Sequence, residues 1–574
     1  MTFRNAIISV SNKSQLTHLV SNLIFPYSPR HTNLFKIYST GGTYNEIKTK
    51  FNTDINNSNF LFKVSDITKF PEILNGRVKT LHPKIMAGIL YDKDDDEHIV
   101  DAKQNDFEKI DLVVANLYPF GNAVKQNKLH KEIIENIDIG GATMIRAAAK
   151  NYKDTCVLVD PNQYDEYIKR FKKNQITLEY KRELAATAFR HISNYDNEIS
   201  NFFNPHEKSY LFEKKSDLKY GMNPNNRIAG IYAHINELLP FTVLNGKPGY
   251  INYLDAINSW RLVNEIKVAL ETDACASFKH TIPAGVAIKN NNNETMLNVY
   301  KKTRNVDPLS SFGDFIAISG NVNLECAEYI ASVVSDGIIA DSYDDDALAV
   351  LSKKKKGSYV ILKGHCIDFF EDTEEVRSMH GMTLVQETEK GFFGMEDLNN
   401  IVTNERETTK QHCEDMIIAS ISLKYAQSNS VAFAYKGQLI GLGAGQQNRL
   451  DCIRLAGNKA LLWWLRNNEE TNAYFTKEIN DDNIKGQLRL SLFYDFLNNH
   501  INEDFKRNIQ KTMNNVVMSS DGFIPFNDNI LEANKYGVSH IVNPGGSISD
   551  KDVIMECDKR GIVMFHTGKR LFFH

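Results

Sequence analysis

Ala6-Ile7-Ile8-Ser9-Val10, running straight into Ser11-Asn12-Lys13-Ser14 and the helix-like stretch Lys13–Leu23, decides how the first third of the chain reads. A short β-branched run that ends in hydroxyl residues and feeds a helical segment is one βα unit of a parallel sheet. The pattern returns at Leu34–Tyr38, Leu112–Leu117 and Thr155–Val159, with Ile139–Lys150 among the helical stretches between them. An α/β domain on a parallel sheet is therefore expected over residues 1–200, with about 161–200 helical. The polar stretch 201–217, which carries Pro205, reads as a linker. The remainder, 218–574, is broken by Gly-rich turns at Asn245-Gly246-Lys247-Pro248-Gly249 and Gly441–Gly445, so at least two packed α/β units are expected there.

The 574 residues are about four times the ~150-residue prior for one domain. With 42% hydrophobic and 24% charged residues, the composition excludes collagen-like and low-complexity chains. Lys+Arg at 67 against Asp+Glu at 71 leaves a net charge of −4, so no global basic field holds nucleic acid and anions must be met by local clusters. Apolar runs such as Met416–Ile421 fall far short of the ~20 residues of a membrane span. The N-terminal apolar patch is shorter than the ~7 residues a secretory signal needs. A cytoplasmic protein with neither membrane nor nucleic-acid partner is expected. The seven cysteines are odd in number and contain no Cys-x-x-Cys pair, which argues against a disulfide framework and a structural zinc site. The acidic runs Asp94–Glu97 and Asp344–Asp346 read as solvated charges.

Two turns follow the first strands: Ser9-Val10-Ser11-Asn12-Lys13-Ser14 and Ser39-Thr40-Gly41-Gly42-Thr43. At the carboxyl end of a parallel strand such a turn opens a helix whose unpaired N–H groups and partial positive charge seat an anion; simple N-capping is the alternative. Leu74-Asn75-Gly76-Arg77-Val78-Lys79-Thr80-Leu81-His82-Pro83 brings two cations and a hydroxyl together, as a phosphorylated substrate or an exposed basic strand requires. Asn116-Leu117-Tyr118-Pro119-Phe120 ends a strand on polar groups, where a βα loop carries function. Ile137-Asp138-Ile139-Gly140-Gly141 opens a helix that closes with Arg146 and Lys150.

In order and spacing these segments resemble the bifunctional AICAR formyltransferase/IMP cyclohydrolase family. The resemblance rests on Gly76–Pro83, Asn116–Phe120, Ile137–Gly141 and Ala147–Asn151. It continues through Tyr220–Pro224, Leu244–Gly246, Ser277–His280, Pro283–Gly285, Ser310–Phe315, Ser335–Ala340, Gln427–Ser430, Gly441–Arg449 and Arg570–Phe572. It implies an N-terminal methylglyoxal-synthase-like cyclohydrolase domain and a C-terminal transformylase domain with cytidine-deaminase-like subdomains. The latter would pass a formyl group from 10-formyltetrahydrofolate to AICAR, and the former would close formyl-AICAR to IMP with loss of water. For ring closure the resemblance names Lys150 as general acid/base, with Lys79, Tyr118 and Asp138 in the site. Ser11, Asn12, Lys13, Thr40, Gly41, Gly42, Thr43, Arg77, Val78, Thr80, Asn116, Leu117 and Ile139 would hold the nucleotide. A lysine proton shuttle needs a lowered pKa, which Lys79 and Arg77 would supply by like-charge repulsion.

For formyl transfer the resemblance implies His280 as proton acceptor, Lys279 as stabiliser of the developing charge and Asn429 as a donor near the transferred carbon. Lys219, Tyr220, Gly313, Asp336, Arg449, Phe523 and Arg570 would bind AICAR, and Gln447, Leu450, Asp528, Ser547 and Ile548 would line the folate side. A homodimer with shared transformylase sites is also implied. No zinc is expected, because the His-x-Glu and Pro-Cys-x-x-Cys motifs of zinc deaminases are missing; a monovalent cation is left open. The lysine run Lys353–Lys356 reads as a solvated face or as an attractor for a polyglutamate tail. Two positions depart from the family pattern: Lys219 stands in place of Arg, and Asn225 in place of His. They keep open a purine-intermediate binding protein, or a cyclohydrolase with an impaired transformylase half.

Overall fold

The computed structural model describes residues 3–25, 34–51, 60–71, 73–74, 78–204, 206–234, 238–291, 293–369, 374–479 and 486–574, and the chain divides into two compact units, Met1–Glu213 and Lys214–His574. The first unit is a sheet of β1 (Phe3–Val10), β2 (Leu34–Ser39), β3 (Leu61–Lys63), β4 (Leu112–Asn116) and β5 (Cys156–Leu158), in the order β3-β2-β1-β4-β5. Every pairing is parallel. In β1 and β4 consecutive residues, Ala6 to Ile8 and Leu112 to Ala115, are fully buried, so both faces of the sheet are covered and these strands read as unbroken apolar runs. The chain lays β2 and β3 on one flank of β1, then β4 and β5 on the other. The order reverses between β1 and β4, and at such a point the carboxyl ends of two neighbouring strands open a crevice.

The helix Ile139–Lys150 starts beside that crevice, capped by Asp138, whose Oδ1 accepts from the Gly141 N–H at 2.7 Å. The expected helical stretch 161–200 is two helices, Tyr164–Lys172 and Leu178–Phe203. Thr177 caps the second, which buries Leu184, Ala188 and Ile192. The stretch 201–217 is not simply a linker: it holds the end of that long helix and the strand Phe212–Asp217, which pairs with Gly230–His234. Its charged residues read as coil, yet a two-stranded ribbon with no buried face tolerates them. The first helix starts at Leu16, not Lys13, because Asn12–Gln15 form the preceding turn.

The second unit contains two sheets of one pattern. In the first, the hairpin of Ala274–Lys279 and Ile282–Ile288 pairs antiparallel with Asp314–Val322, after which Ser335–Tyr343 and Val360–Gly364 add in parallel. In the second, the hairpin of Ser430–Ala434 and Leu439–Ala444 pairs antiparallel with Val516–Ser520, followed in parallel by Val538–Asn543 and Val563–His566. Phe241–Asn245 adds a sixth, antiparallel strand to the first sheet. A helix precedes each hairpin, Tyr250–Leu270 and Lys410–Leu423, so the unit repeats one α-hairpin-β-β-β plan. Among the described residues no helix is long and apolar enough to cross a membrane.

Candidate functional site

At the crevice, Asn116 at the end of β4 fastens the turn after β1. Its Oδ1 accepts from the Ser11 and Asn12 N–H groups at 2.7 and 2.8 Å, and its Nδ2 donates to Asn12 O at 3.0 Å. Thr40 precedes the helix Gly41–Lys50 but does not cap it, because its hydroxyl is taken by Ser9 Oγ at 2.9 Å. The positive end of that helix is thereby left to other partners. Two ammonium groups converge there: Lys79 Nζ lies 3.2 Å from where a Gly41 Cβ would stand, and Lys13 Nζ 3.6 Å from that of Gly42. Gly41 also has φ +28°, which favours glycine.

The opposite wall is the start of the helix Ile139–Lys150. A cleft of about 430 Å³ is lined by Ser9, Thr40, Lys79, Thr80, Tyr118 and Asp138, among others. Thr80 Oγ1 sits 2.6 Å from where a Gly140 Cβ would project, so a side chain at 140 would push into it. The Asp138 N–H donates to Tyr195 Oη at 2.7 Å, and the Tyr195 hydroxyl donates to Asn136 O at 2.6 Å. Burial raises the Asp138 carboxyl pKa, while the Gly141 N–H and the Lys79 charge pull it back. Tyr118 and Ile139 are 46% and 58% exposed, apolar surface at the mouth of the cleft.

Lys79, Thr80, Tyr118, Asp138, Ile139 and Thr40 thus gather in one place. Next to Thr40, Gly41 lies beside Lys79 and Gly42 beside Lys13; Asn116 ties down Ser11 and Asn12, the Thr43 hydroxyl bonds the Val10 backbone, and Val78 is half-buried and Leu117 buried. Arg77 lies outside the described residues. Lys150 does not join the cleft: it is exposed at the opposite end of a 12-residue helix, about 16 Å along the axis from Ile139. Glu135 and Tyr195 belong to the site and were not anticipated, since each meets it from a separate element, whereas Ser9 opens the turn that the sequence singles out.

In the second unit His280 and Thr281 form the two-residue turn of the first hairpin, with φ of +55° and +64°. That conformation calls for Asn-Gly, and non-glycine residues held in it store strain. The buried Asp255 holds the turn, its Oδ1 accepting from the Thr281 N–H at 2.6 Å; burial raises its pKa, the His280 charge lowers it and Asp336 raises it. Lys279 Nζ donates to Phe312 O at 2.7 Å, next to Gly313, whose φ is +79°. Asp336 pairs with Lys355 at 2.7 Å. The run Lys353–Lys356 is therefore not a plain solvated face. Lys354 Nζ donates to Ser335 Oγ at 2.5 Å and Ile330 O at 2.6 Å, and burial presses its pKa down to about 8. Tyr220 is half-buried, with Lys219 Nζ 5.9 Å from its ring.

A second group stands on the other sheet. Asn429 donates to Gln446 O at 3.0 Å and accepts from Arg449 at 3.0 Å. Arg449 pairs with the fully buried Asp521, which also accepts from Ser428 Oγ at 2.6 Å and the Ser430 N–H at 2.9 Å. The C-terminal segment docks here through the Leu571 N–H to Asp521 O at 2.9 Å, and Arg570 lies over Phe572. Phe523, Gln447, Asp528 and Ile548 are exposed, Leu450 and Ser547 half-buried. Among the described residues no hydrogen bond or ion pair joins the Lys279–His280 group to the Asn429–Arg449 group. Asp255 and Asp521 were not anticipated: each is recognisable only through partners far away in sequence.

Two family models match the chain: one described as AICARFT/IMPCHase bienzyme over residues 148–459, and an MGS-like domain over residues 28–143. A protein of Clostridium botulinum named bifunctional purine biosynthesis protein PurH is 34% identical over 579 residues, covering all of both chains. Its namesake in Persephonella marina is 33% identical over 586 residues, again over the whole of both. A solved structure described as that of ForH matches 36% of this chain at 26% identity, with a TM-score of 0.29.

Proposed function

The chain belongs to the AICARFT/IMPCHase bienzyme family, and from that premise we propose which of its residues carry each of the two reactions. It is a bifunctional enzyme of purine biosynthesis, an AICAR formyltransferase and IMP cyclohydrolase. Ring closure belongs to the cleft of the first unit. The observation that carries this reading is the convergence of Lys79 and Asp138 on one cavity beside the Gly41-Gly42 turn. The 5′-phosphate sits against that turn and Lys13, and Tyr118 and Ile139 flank the base.

The carboxamide nitrogen attacks the formyl carbon. A C–N bond forms, the carbonyl π pair moves to oxygen, and Lys79 stabilises the oxyanion. Asp138 takes a proton from the attacking nitrogen and passes it to the oxyanion, giving a hydroxyl. The formamide N–H then loses its proton through the same carboxyl as the ring C=N bond forms, and that proton goes to the hydroxyl, which leaves as water when the C–O bond breaks. A carboxyl with a raised pKa suits both halves of that exchange. Lys150 has no place in this step within one subunit, and the general acid/base role passes to Asp138.

Formyl transfer belongs to the second unit and is folate-dependent, with 10-formyltetrahydrofolate as the proposed donor. His280 accepts the proton of the AICAR amine as the new C–N bond forms. Lys279 stabilises charge on the formyl oxygen, and the folate nitrogen leaves with the electron pair of the old C–N bond, receiving the proton that His280 took. Asn429, Arg449 and Arg570 act from the other cluster, so a complete pocket requires the two clusters to face each other across a homodimer. Tyr220, Gly313, Asp336 and Phe523 contact AICAR, and the exposed Gln447 to Leu450, Asp528 and Ser547-Ile548 meet the folate. The setting is the cytosol.

The test supplies formyl-AICAR alone, then AICAR with 10-formyltetrahydrofolate, and follows IMP. Both are expected to yield it; IMP from the first alone would overturn the transformylase assignment.

A further inference from the structure

The cleft occupies the carboxyl end of the parallel sheet, but a second cavity, of about 210 Å³, lies at its amino end. It is bounded by Arg4 at the start of β1, Lys109 and Asp111 before β4, Asp154 before β5, and Lys181 of the helix Leu178–Phe203. Lys109 bridges Asp111 at 3.4 Å and Asp154 at 3.3 Å. Lys93, also on the rim, is committed to Asp94 at 3.0 Å. Arg4 and Lys181 remain. The partly buried Arg4 guanidinium lies over the Phe171 ring at 5.7 Å and makes no hydrogen bond or ion pair among the described residues. Lys181 donates to Lys153 O at 2.8 Å and meets no carboxylate among them. Asp154 supplies the complementary feature. Its side chain is 3% exposed, and Oδ1, although near the Lys109 ammonium, accepts no hydrogen bond. Asp154 Oδ1, ion-paired with Lys109 but without a hydrogen bond, has lone pairs to spare, and the Arg4 guanidinium in the same small cavity has no anionic partner among the described residues.

We propose that this cavity binds a small phosphate, as hydrogen phosphate or as the singly protonated end of a phosphomonoester. Its acid oxygens accept from Arg4 and Lys181, and an O–H of the ligand donates to Asp154 Oδ1. The volume is that of about seven waters, enough for a phosphate group with little else. A guanidinium beside an ammonium is a fork and a point charge for one anion. The site is independent of the catalytic assignment, being served by none of the cleft residues.

The test is calorimetric titration of the full chain with inorganic phosphate, ribose 5-phosphate and sulfate. Three phosphates per chain are expected for the wild type: one in the cleft, one in the AICAR pocket of the second unit and one here. Arg4→Met with Lys181→Met should lose one of them, while Lys13→Met with Lys79→Met should lose a different one. Sulfate, without an O–H at neutral pH, should fill this cavity several-fold less tightly. Ribose 5-phosphate binding lost in Arg4→Met/Lys181→Met would mark a monoester as the source, and its failure to bind there would mark free phosphate. Unchanged stoichiometry in Arg4→Met/Lys181→Met, or equal affinity for sulfate and phosphate, would overturn the proposal. Should that variant not fold, a wild-type crystal soaked in phosphate decides: density between Arg4 and Lys181 supports the site, and a filled cleft with this cavity empty overturns it.

Discussion

In the first unit a single parallel sheet brings Lys79, Thr80, Tyr118 and Asp138 to one cleft; in the second, Lys279 and His280 stand on one sheet and Asn429 and Arg449 on another. The difference comes from topology. A parallel sheet whose strand order reverses provides a crevice by itself, so residues from separate βα turns converge within one chain. A repeated hairpin-and-three-strand unit provides two similar edges, each equipped with part of a machinery. The first edge holds a strained two-residue turn pinned by a buried carboxylate, and the second a buried Arg–Asp pair that fixes an amide. One region gathers its candidate residues in a single pocket, and the other keeps them in two separate clusters.

This contrast can be broken most severely at Asp138. Asp138→Asn keeps a good helix cap and so the fold, but removes the proton, and cyclisation should fall by ~10²–10⁴ with formyl transfer untouched. The limb of the wild-type pH–rate profile set by this carboxyl should stand above the ordinary carboxylate range and vanish in the variant; an unaltered profile would count against the assignment. Next comes Asp521→Asn, which leaves Arg449 charged and buried without its partner. Denaturant unfolding should show a loss of about 3–5 kcal/mol in the second unit, and no loss would mean that the pair is not the brace described.

His540 gives an effect of similar or smaller size. It is buried, its Nε2 lies 3.1 Å from Glu407 O, its Nδ1 2.9 Å from Ser539 Oγ, and its ring 3.9 Å from that of His412, with the Glu405 and Glu407 carboxylates nearby. Burial first, then the His412 charge, press its pKa down to about 4. Between that value and the ordinary 6.5 the unfolded chain binds the extra proton, so stability falls as pH falls through this window, by on the order of 3 kcal/mol. His540→Gln should flatten that acid limb in melting curves taken from pH 7 to 4; a limb of unchanged depth refutes the attribution. The smallest change is expected from Asn225→His, which restores the family's imidazole at an exposed position. Transformylase kcat should rise, by less than about tenfold or ~1.36 kcal/mol, and no change or a fall would remove Asn225 from the account.

Sequence carried the strands of the first sheet because Ile7, Val113 and Val157 sit in apolar runs that a sheet covered on both faces demands. It missed β3, Leu61–Lys63, a three-residue edge strand too short to show a period. It read 201–217 as a linker because polarity cannot separate coil from an exposed strand. The cleft was legible as motifs, since each βα turn carries its own hydroxyls, glycines and cations. Lys150 was placed in it because a motif states which residues share a helix, not which end of the helix faces the ligand. The buried carboxylates Asp255 and Asp521 were invisible for another reason: Asp255 acquires its meaning from Thr281 and Asp521 from Arg449, pairings that folding alone creates.

Paired variants of the full chain, Lys79→Met and Lys279→Met, assayed in both half-reactions, reach the centre of this account. A crossed pattern is predicted: Lys79→Met loses conversion of formyl-AICAR to IMP but still formylates AICAR, and Lys279→Met does the reverse. If Lys79→Met cyclises at the wild-type rate, or either variant loses both activities while remaining folded, then the two reactions do not reside where the two regions place them.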